Sequence, residues 1–445
     1  MRAVPTLCAL RVLCALTAID PPAHAADMLS AAHASIRAAD AGRHVTALAD
    51  DAFEGREGGS RGGRAAGGYI VAEIERIRAG SGGEGLQPAG DAGSAYQAFG
   101  TMRNILVLQP GSDPAAAGEL VVVGAHYDHV GYGNAANSYG PFGFVHNGAD
   151  DNASGVAGLL ELIEAMQQLP ARPRRPILFA FWDGEEKGLL GSRHFLRERP
   201  AAVAGRAIVF SVNMDMIGRL RGERLEVYGA RTSPGLRSAV VHANNDPANA
   251  AGLELTFDWD IEDDSDHYPF IAAKIPTVMF HTGLHDQYHR PSDDVHLVHL
   301  DGIPPVVRLA LGFVQAIADE PGPRRPFRPA ARLESNATKR QLEAVIHDAI
   351  GTQRGRWGIG TREDACEPHA PVVVRVAPGS PAAAAGLLPG DRITALDGRP
   401  VANQAEMVAQ LQAAGPRVVI DVERRGRFTQ IAVETAPLDA VPSGR

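Results

Sequence analysis

Two adjacent glutamates, Glu185 and Glu186, end the stretch Ala180-Phe181-Trp182-Asp183-Gly184-Glu185-Glu186. The apolar run 177–182 reads as a buried strand, and Gly184 breaks it before a short helical pattern begins. Neighbours on a strand point to opposite faces, but in a turn they can converge on one centre, Glu186 on a metal and Glu185 on the water it activates. A solvated acidic turn would carry the same letters. His126, Asp151, Asp215 and His289 weigh against that bland reading, because each stands at a strand end or on the loop after one. Two imidazoles and three carboxylates, with no thiol available, suit zinc. Two divalent ions would set +4 against the −3 of the carboxylates, and a bridging hydroxide would bring the cluster to neutrality near neutral pH. One ion would need fewer ligands than the chain supplies.

Asp128, two residues after His126, is a candidate carboxylate for fixing that imidazole's tautomer, and Asp293 is placed to do the same beyond His289; each is equally readable as a turn or cap aspartate. His129, His267, His281 and His285 lack a matching strand-end partner and read as hydrogen-bonded structural histidines.

The elements that must position these groups alternate along the chain. A helical pattern over 65–79 packs on the sheet, and the Gly-rich patches 58–68 and 80–85 read as loops. Short β-rich runs over 103–109 and 119–125 lead to His126. The loop 131–147 is a lid, a substrate wall or a plain surface excursion. A helix then runs to about Leu169, stopped by Pro170. After strand 177–182 come a helix over 188–197, strands 208–214 and 225–228, a helix over 236–244, the acidic segment 262–267, a strand over 277–280, the loop 281–295 and a helix over 306–318. Polar residues gathered at the ends of strands that alternate with helices indicate one α/β domain with a largely parallel sheet, spanning 26–319. Prolines and arginines over 320–338 indicate a stiff linker, 339–437 a second unit with its own hydrophobic pattern, and 438–445 a tail.

Composition is globular, with 445 residues, 45% hydrophobic and 21% charged, and the net charge of −9 argues against a nucleic-acid or anionic-membrane partner. No uninterrupted apolar span of membrane length is present. Arg2, the apolar stretch 12–19 and Ala23-His24-Ala25 read as a secretory signal cleaved after Ala25, which implies a secreted or periplasmic protein. Cys8 and Cys14 fall inside that signal, so Cys366 alone would remain and no intramolecular disulfide could form.

The motifs His126-Tyr127-Asp128, Gly148-Ala149-Asp150-Asp151-Asn152-Ala153-Ser154-Gly155, Trp182-Asp183-Gly184-Glu185-Glu186, Asn213-Met214-Asp215-Met216 and Tyr288-His289 closely resemble the co-catalytic di-zinc aminopeptidases. That superfamily, the clan MH exopeptidases, also holds glutamate carboxypeptidase, glutaminyl cyclase and the transferrin receptor. The resemblance implies a mixed, largely parallel twisted sheet between helices and two Zn2+ per chain. It implies Asp151 as bridging ligand, His126 and Asp215 on one zinc, and Glu186 and His289 on the other. It also implies Glu185 as general base, Tyr288 as donor to the oxyanion, and a cis peptide bond at Asp151-Asn152. Peptide or protein substrates with a free N-terminus follow from it. The rivals are a one-zinc glutaminyl cyclase, a carboxypeptidase, and a non-catalytic scaffold that would have lost ligands; all five positions are filled here.

In the second unit Trp357-Gly358-Ile359-Gly360, Ala385-Gly386-Leu387-Leu388-Pro389-Gly390-Asp391-Arg392-Ile393 and a helix over 404–413 resemble a PDZ domain of the protease-associated type. The resemblance implies a loop at Gly358, Ile359 and Gly360 whose amides take a peptide carboxylate while an extended segment joins the sheet edge. A small β-domain that merely packs on the enzyme is the alternative.

Overall fold

Strands that are apolar on both faces need cover on both faces, and that requirement shapes the first unit. The computed structural model describes residues 30–82, 85–346 and 356–435; the expected secretory signal and the tail lie outside them. Among the described residues, β1 (Gln87–Pro88), β2 (Tyr96–Phe99), β3 (Met102–Gln109), β4 (Glu119–His126), β5 (Ile177–Trp182), β6 (Ala207–Met214), β7 (Arg224–Tyr228), β8 (Glu254–Phe257) and β9 (Thr277–His281) form one sheet. Its order is β1-β3-β5-β4-β6-β9-β7-β8, with β2 pairing β3. The central four, β5, β4, β6 and β9, run parallel, while β3 and β7 join them antiparallel, so the sheet is mixed with a parallel heart.

Pleat alternation divides the side chains between two cores. Ile177, Phe179 and Phe181 enter the larger one, with Val121, Val123 and Ala125 of β4. Leu178, Ala180 and Trp182 enter a smaller one on the opposite face, with Leu120 and Val122. Helices α1 (Ala38–Leu48), α2 (Arg61–Gly80), α3 (Gly155–Gln167), α5 (Leu236–Asn245) and α7 (Ile303–Asp319) cover the larger core. Phe195 of α4 (Leu190–Arg197) and Phe270 of α6 (His267–Ala272) cover the smaller one. The sequence did not announce α1 or β8: α1 is built largely of small residues that give little periodic signal, and β8 is short. Part of the patch expected as a loop over 58–68 is helix, because the Ser60 hydroxyl accepts from the Gly63 amide at 3.0 Å and starts α2 at Arg61.

The second unit has its own core, built on Trp357, Val373, Ile393, Met407, Val418 and Ile420. After α8 (Asn336–Leu342) come β10 (Ile359–Arg362), β11 (Val372–Val376), α9 (Pro381–Ala384), β12 (Arg392–Leu396), β13 (Arg399–Pro400), α10 (Gln404–Ala413), β14 (Arg417–Arg424) and β15 (Arg427–Glu434). The strands order β10-β11-β12-β14-β15, with β13 on β12.

The two units are bolted together by buried charge. Asp364 accepts from Arg231 Nη1 at 3.0 Å through both oxygens and from Arg392 Nη1 at 3.0 Å. Glu423 takes Arg237 in a two-pronged pair at 2.9 and 3.0 Å, and Glu367 accepts the Arg237 amide at 2.8 Å. The hairpin between β14 and β15 presses on β8, where the Leu255 amide donates to the Arg425 carbonyl at 2.8 Å. Gly426 sits there at φ +78°, and a Cβ on it would meet the Leu255 side chain at 2.4 Å. Residues 320–338, expected as a stiff linker, are docked rather than free: Glu334 takes both Arg328 and Arg231, and Asn336 donates to Asp258 at 2.8 Å.

Candidate active site

The carboxyl ends of the parallel strands deliver the chemistry. His126 is the last residue of β4, Asp215 follows β6 directly, and the Glu185-Glu186 turn follows β5. In that turn Gly184 takes φ +73°, which redirects the chain so that Glu185 and Glu186 face one cleft. The Glu185 amide donates to Asp128 Oδ1 at 3.0 Å, which fixes the turn from below.

Asp151 stands at the centre. Its Oδ1 lies 3.4 Å from His126 Nε2, and its Oδ2 lies 3.2 Å from His289 Nε2. His126 Nε2 is also 3.3 Å from Asp215 Oδ1, and His289 Nε2 is 3.1 Å from Glu186 Oε2. One oxygen of Asp151 therefore serves each of two donor groups. A tetrahedral ion with bonds of about 2.0–2.1 Å holds its ligands about 3.3 Å apart, which matches these separations. Asp151 Oδ2 is buried with no hydrogen-bond partner, as a metal ligand would be. The donor set and its spacing fit a pair of zinc ions.

Several residues hold Asp151 in place. Asp293 Oδ2 accepts the amides of Asp150 and Asp151 at 2.9 and 3.1 Å, and its other oxygen pairs with Arg219 at 3.0 Å. Asp293 thus steadies the Asp151 loop, where the sequence reading set it behind His289. Asp128 likewise meets His126 Nδ1 through its carbonyl at 3.2 Å, with the carboxylate farther off at 3.8 Å, because that carboxylate faces the Glu185 amide. Asn152 follows a cis Asp151-Asn152 bond and ties two loops together: it donates to the Met214 carbonyl at 3.0 Å and accepts the Met216 amide at 3.1 Å. Ser265 donates to Asp215 Oδ2 at 2.6 Å.

Two participants escaped the sequence reading. Arg56 is 1% exposed beneath the cluster and donates only to carbonyls, among them Tyr127 at 3.0 Å, Leu48 at 2.8 Å and Gly148 at 2.9 Å. Burial lowers its pKa to about 10 while Asp151 and Asp293 act in the opposite sense, so it stays a cation under four carboxylates. A lone arginine beside glycines gives no signal in a sequence. His129, read as structural, lies inside the cluster: its Nδ1 is 2.8 Å from Glu186 Oε1 and 3.6 Å from Asp151 Oδ2. It shares the strand-end motif of His126, which is the one hint the sequence held. Partners of this kind typically shift metal affinity about 10–100-fold, so His129→Gln is expected to weaken zinc retention by at least about tenfold, read by competition with a chelator. His285 faces Asp150 at 3.2 Å, and His281 accepts the Gly283 amide at 2.8 Å.

A cleft of about 280 Å³ opens over Asp151, with Glu185, Tyr288, Glu262, Asp264, Met279 and Leu284 among its walls. Tyr288 stacks on His289 with ring centroids 3.9 Å apart, and burial raises its pKa well above the ordinary phenol value, so its hydroxyl keeps its proton. Burial, then the charges of Glu186, Asp266 and Asp215, hold Glu185 well above the usual carboxylate range.

In the second unit a groove of about 410 Å³ runs between β10 and α10, lined by Trp357, Ile359, Met407, Val408 and Leu411. Of the three residues expected as an amide loop, Gly358 is in the left-handed turn at φ +74°, whereas Ile359 and Gly360 already belong to the edge strand β10.

Residues 104–314 match Peptidase family M28, and residues 372–424 match the PDZ domain. Aminopeptidase YwaD of Bacillus subtilis is 30% identical over 183 residues, which cover 40% of this chain and 36% of that protein. Leupeptin-inactivating enzyme 1 of Streptomyces exfoliatus is 30% identical over 182 residues, 39% of this chain and 34% of that enzyme. The chain thus spans about a third of the length of these curated relatives. Among solved structures, the LapA aminopeptidase of Legionella pneumophila superposes with a TM-score of 0.55 at 17% identity, covering 66% of this chain and 76% of that one. A leucine aminopeptidase precursor from Bacteroides thetaiotaomicron gives 0.50 at 20% identity, covering 64% and 98%. These two likenesses show a shared fold.

Proposed function

We propose that this chain, a member of peptidase family M28 through residues 104–314 that also carries a PDZ domain over 372–424, is a two-zinc aminopeptidase. One observation carries the reading. The cleft over Asp151 is walled by carboxylates, imidazoles and apolar side chains, and no lysine or arginine lines it among the described residues. Its donors suit divalent cations, and its rim offers a substrate α-ammonium the carboxylates of Glu262 and Asp264. A carboxypeptidase would need a cation for the substrate's terminal carboxylate, and the wall supplies none.

Asp151 would be shared between the two ions, His126 and Asp215 would hold one, and Glu186 and His289 the other. When bound, such a pair supplies Lewis acidity to the scissile carbonyl and makes water acidic near neutral pH. The chain's own residues do the rest. Glu185 takes the proton from the attacking water and passes it to the leaving amine, a role suited to a carboxylate with a raised pKa. The Tyr288 hydroxyl, protonated throughout, donates to the oxyanion that develops on the carbonyl oxygen. Glu262 and Asp264 hold the free amino terminus, which places the first peptide bond over Asp151.

The test is an assay of metal-free and zinc-reconstituted protein across amino-acid anilides and N-blocked peptides, with metal counted per chain. Turnover of the anilides near two zinc per chain supports the reading. Cleavage of blocked peptides only, or full activity at one zinc, overturns it. Glu186→Ala is expected to lose about one metal per chain, measured by elemental analysis after gel filtration; a fully loaded variant would remove Glu186 as a ligand.

For the second unit we propose a C-terminal peptide ligand with an apolar end. Support comes from the apolar groove beside β10, the edge strand of the sheet among the described residues. A charge placed in that groove by Met407→Glu, at a residue 1% exposed, is expected to weaken binding of such a peptide by more than about tenfold in calorimetry.

A further inference from the structure

We propose that the loop 131–147 forms the wall that binds the substrate beyond the cleaved bond, and that it favours peptides whose second and third residues are apolar or aromatic. This rests on the aminopeptidase reading and adds to it the subsite for the leaving chain.

The loop carries four large apolar side chains in solvent: Tyr132 at 49% exposure, Tyr139 at 66%, Phe142 at 52% and Phe144 at 60%. Such a concentration is unusual on a surface with no ligand to meet. The loop is nevertheless held firmly. The Tyr139 amide and the Ser138 hydroxyl both donate to the His289 carbonyl, at 3.1 and 2.9 Å. Arg290 donates to the carbonyls of Tyr139 and Gly140 at 2.8 and 3.2 Å, with its guanidinium 5.7 Å from the Tyr139 ring. At the base, the His146 amide donates to the Gly131 carbonyl at 2.8 Å, and the Gly131 amide to the Gly55 carbonyl at 3.0 Å. The aromatic groups are therefore displayed by a built segment anchored on the backbone of a proposed metal ligand.

Direction follows from the polarity of the cleft. Glu262 and Asp264 make one part acidic, and the substrate's ammonium is drawn there. The Tyr139 ring lies 6.2 Å from the Tyr288 ring and 6.4 Å from the His289 ring, so the aromatic loop borders the Tyr288 and His289 side. A peptide with its amine on the acids and its carbonyl beside Tyr288 sends its next residues toward Tyr139. An extended chain advances about 3.3 Å per residue, so the second and third residues reach that ring and the loop that carries Phe142 and Phe144.

The experiment compares Leu-Phe-Phe-Gly with Leu-Ser-Ser-Gly on the full zinc-loaded chain. The expected kcat/KM ratio is at least about tenfold in favour of the aromatic peptide, carried mainly by KM. In Phe142→Ser/Phe144→Ser that ratio is expected to fall to within about twofold of one, while Phe142→Leu/Phe144→Leu keeps most of it. A ratio near one in the unaltered protein overturns the proposal, as does a double serine variant with the ratio intact; the latter would hand the patch to a partner other than substrate. The same pair of peptides is titrated calorimetrically into Glu185→Gln protein, where binding is read without turnover. Should no peptide with a free amino terminus be hydrolysed, the aminopeptidase reading fails, and the Kd ratio still decides the wall: a preference of at least about tenfold upholds it, and equal Kd values overturn it.

Discussion

Glu185→Gln is expected to leave both metals in place and to lower kcat by at least about a hundredfold, since the amide keeps the length of the side chain and loses the ability to take a proton. Nothing else in the turn need move. The backbone is fixed by the Glu185 amide on Asp128 at 3.0 Å, and the oxygens that would face the proposed ions belong to Glu186 and Asp151. Burial comes first in holding the Glu185 carboxyl above its usual range, and the nearby carboxylates add to it. Such a group takes the proton from water more readily than an ordinary glutamate would. Steady-state kinetics and elemental analysis on the same sample check the outcome. A variant that retained turnover would move the base to another carboxylate; one that lost zinc would make Glu185 a ligand.

Asp364→Ala is expected to destabilise the chain by about 3–5 kcal/mol, the range for removing one partner of a buried ion pair. The carboxylate is 1% exposed and serves Arg231 and Arg392, one from each side of the junction. Without it Arg392, itself 1% exposed, keeps the Ala370 carbonyl at 3.4 Å and, for its charge, the longer approaches to Glu343 at 3.8 Å and Glu423 at 4.0 Å. Burial alone would raise the Asp364 carboxyl, yet the two guanidinium groups hold it below its ordinary value. Its contribution is thus full above the unfolded carboxyl's pKa of about 4 and is lost as the pH falls through the lowered folded value. Urea denaturation of the full chain at neutral pH checks the size. A loss under about 1 kcal/mol would mean that water enters the junction and solvates the stranded charges.

The sequence displays some of this and hides the rest for physical reasons. Strand β5 was readable because six apolar residues in a row, ending in a glycine and two glutamates, leave little but a buried strand with acid at its end. The alternation of strands and helices gave the parallel heart of the sheet. It could not give the antiparallel entry of β3 and β7, since strand direction depends on which neighbour each strand meets. At the site, the residues carried by strand-end motifs were visible. Arg56 was not, because its partners are carbonyl groups, which have no letter of their own. Asp293 was visible as a residue and misplaced as a partner: it holds the Asp151 backbone, a contact set by a loop crossing that no spacing reveals. The junction between the units was the least legible part. Arg231, Arg237, Asp364 and Glu423 look like solvated surface until their partners close over them.

The order β4-β6-β9-β7-β8 places the last strand of the sheet to be synthesised between two that are made before it. While a ribosome is still extending the chain, β7 and β8 have no place on the parallel heart until β9 emerges to join them. His289 emerges later still, eight residues past the end of β9 at His281. A nascent chain that ends short of His289 therefore lacks a full donor set, and the proposed hydrolysis would wait for the completed sheet and the loop beyond it.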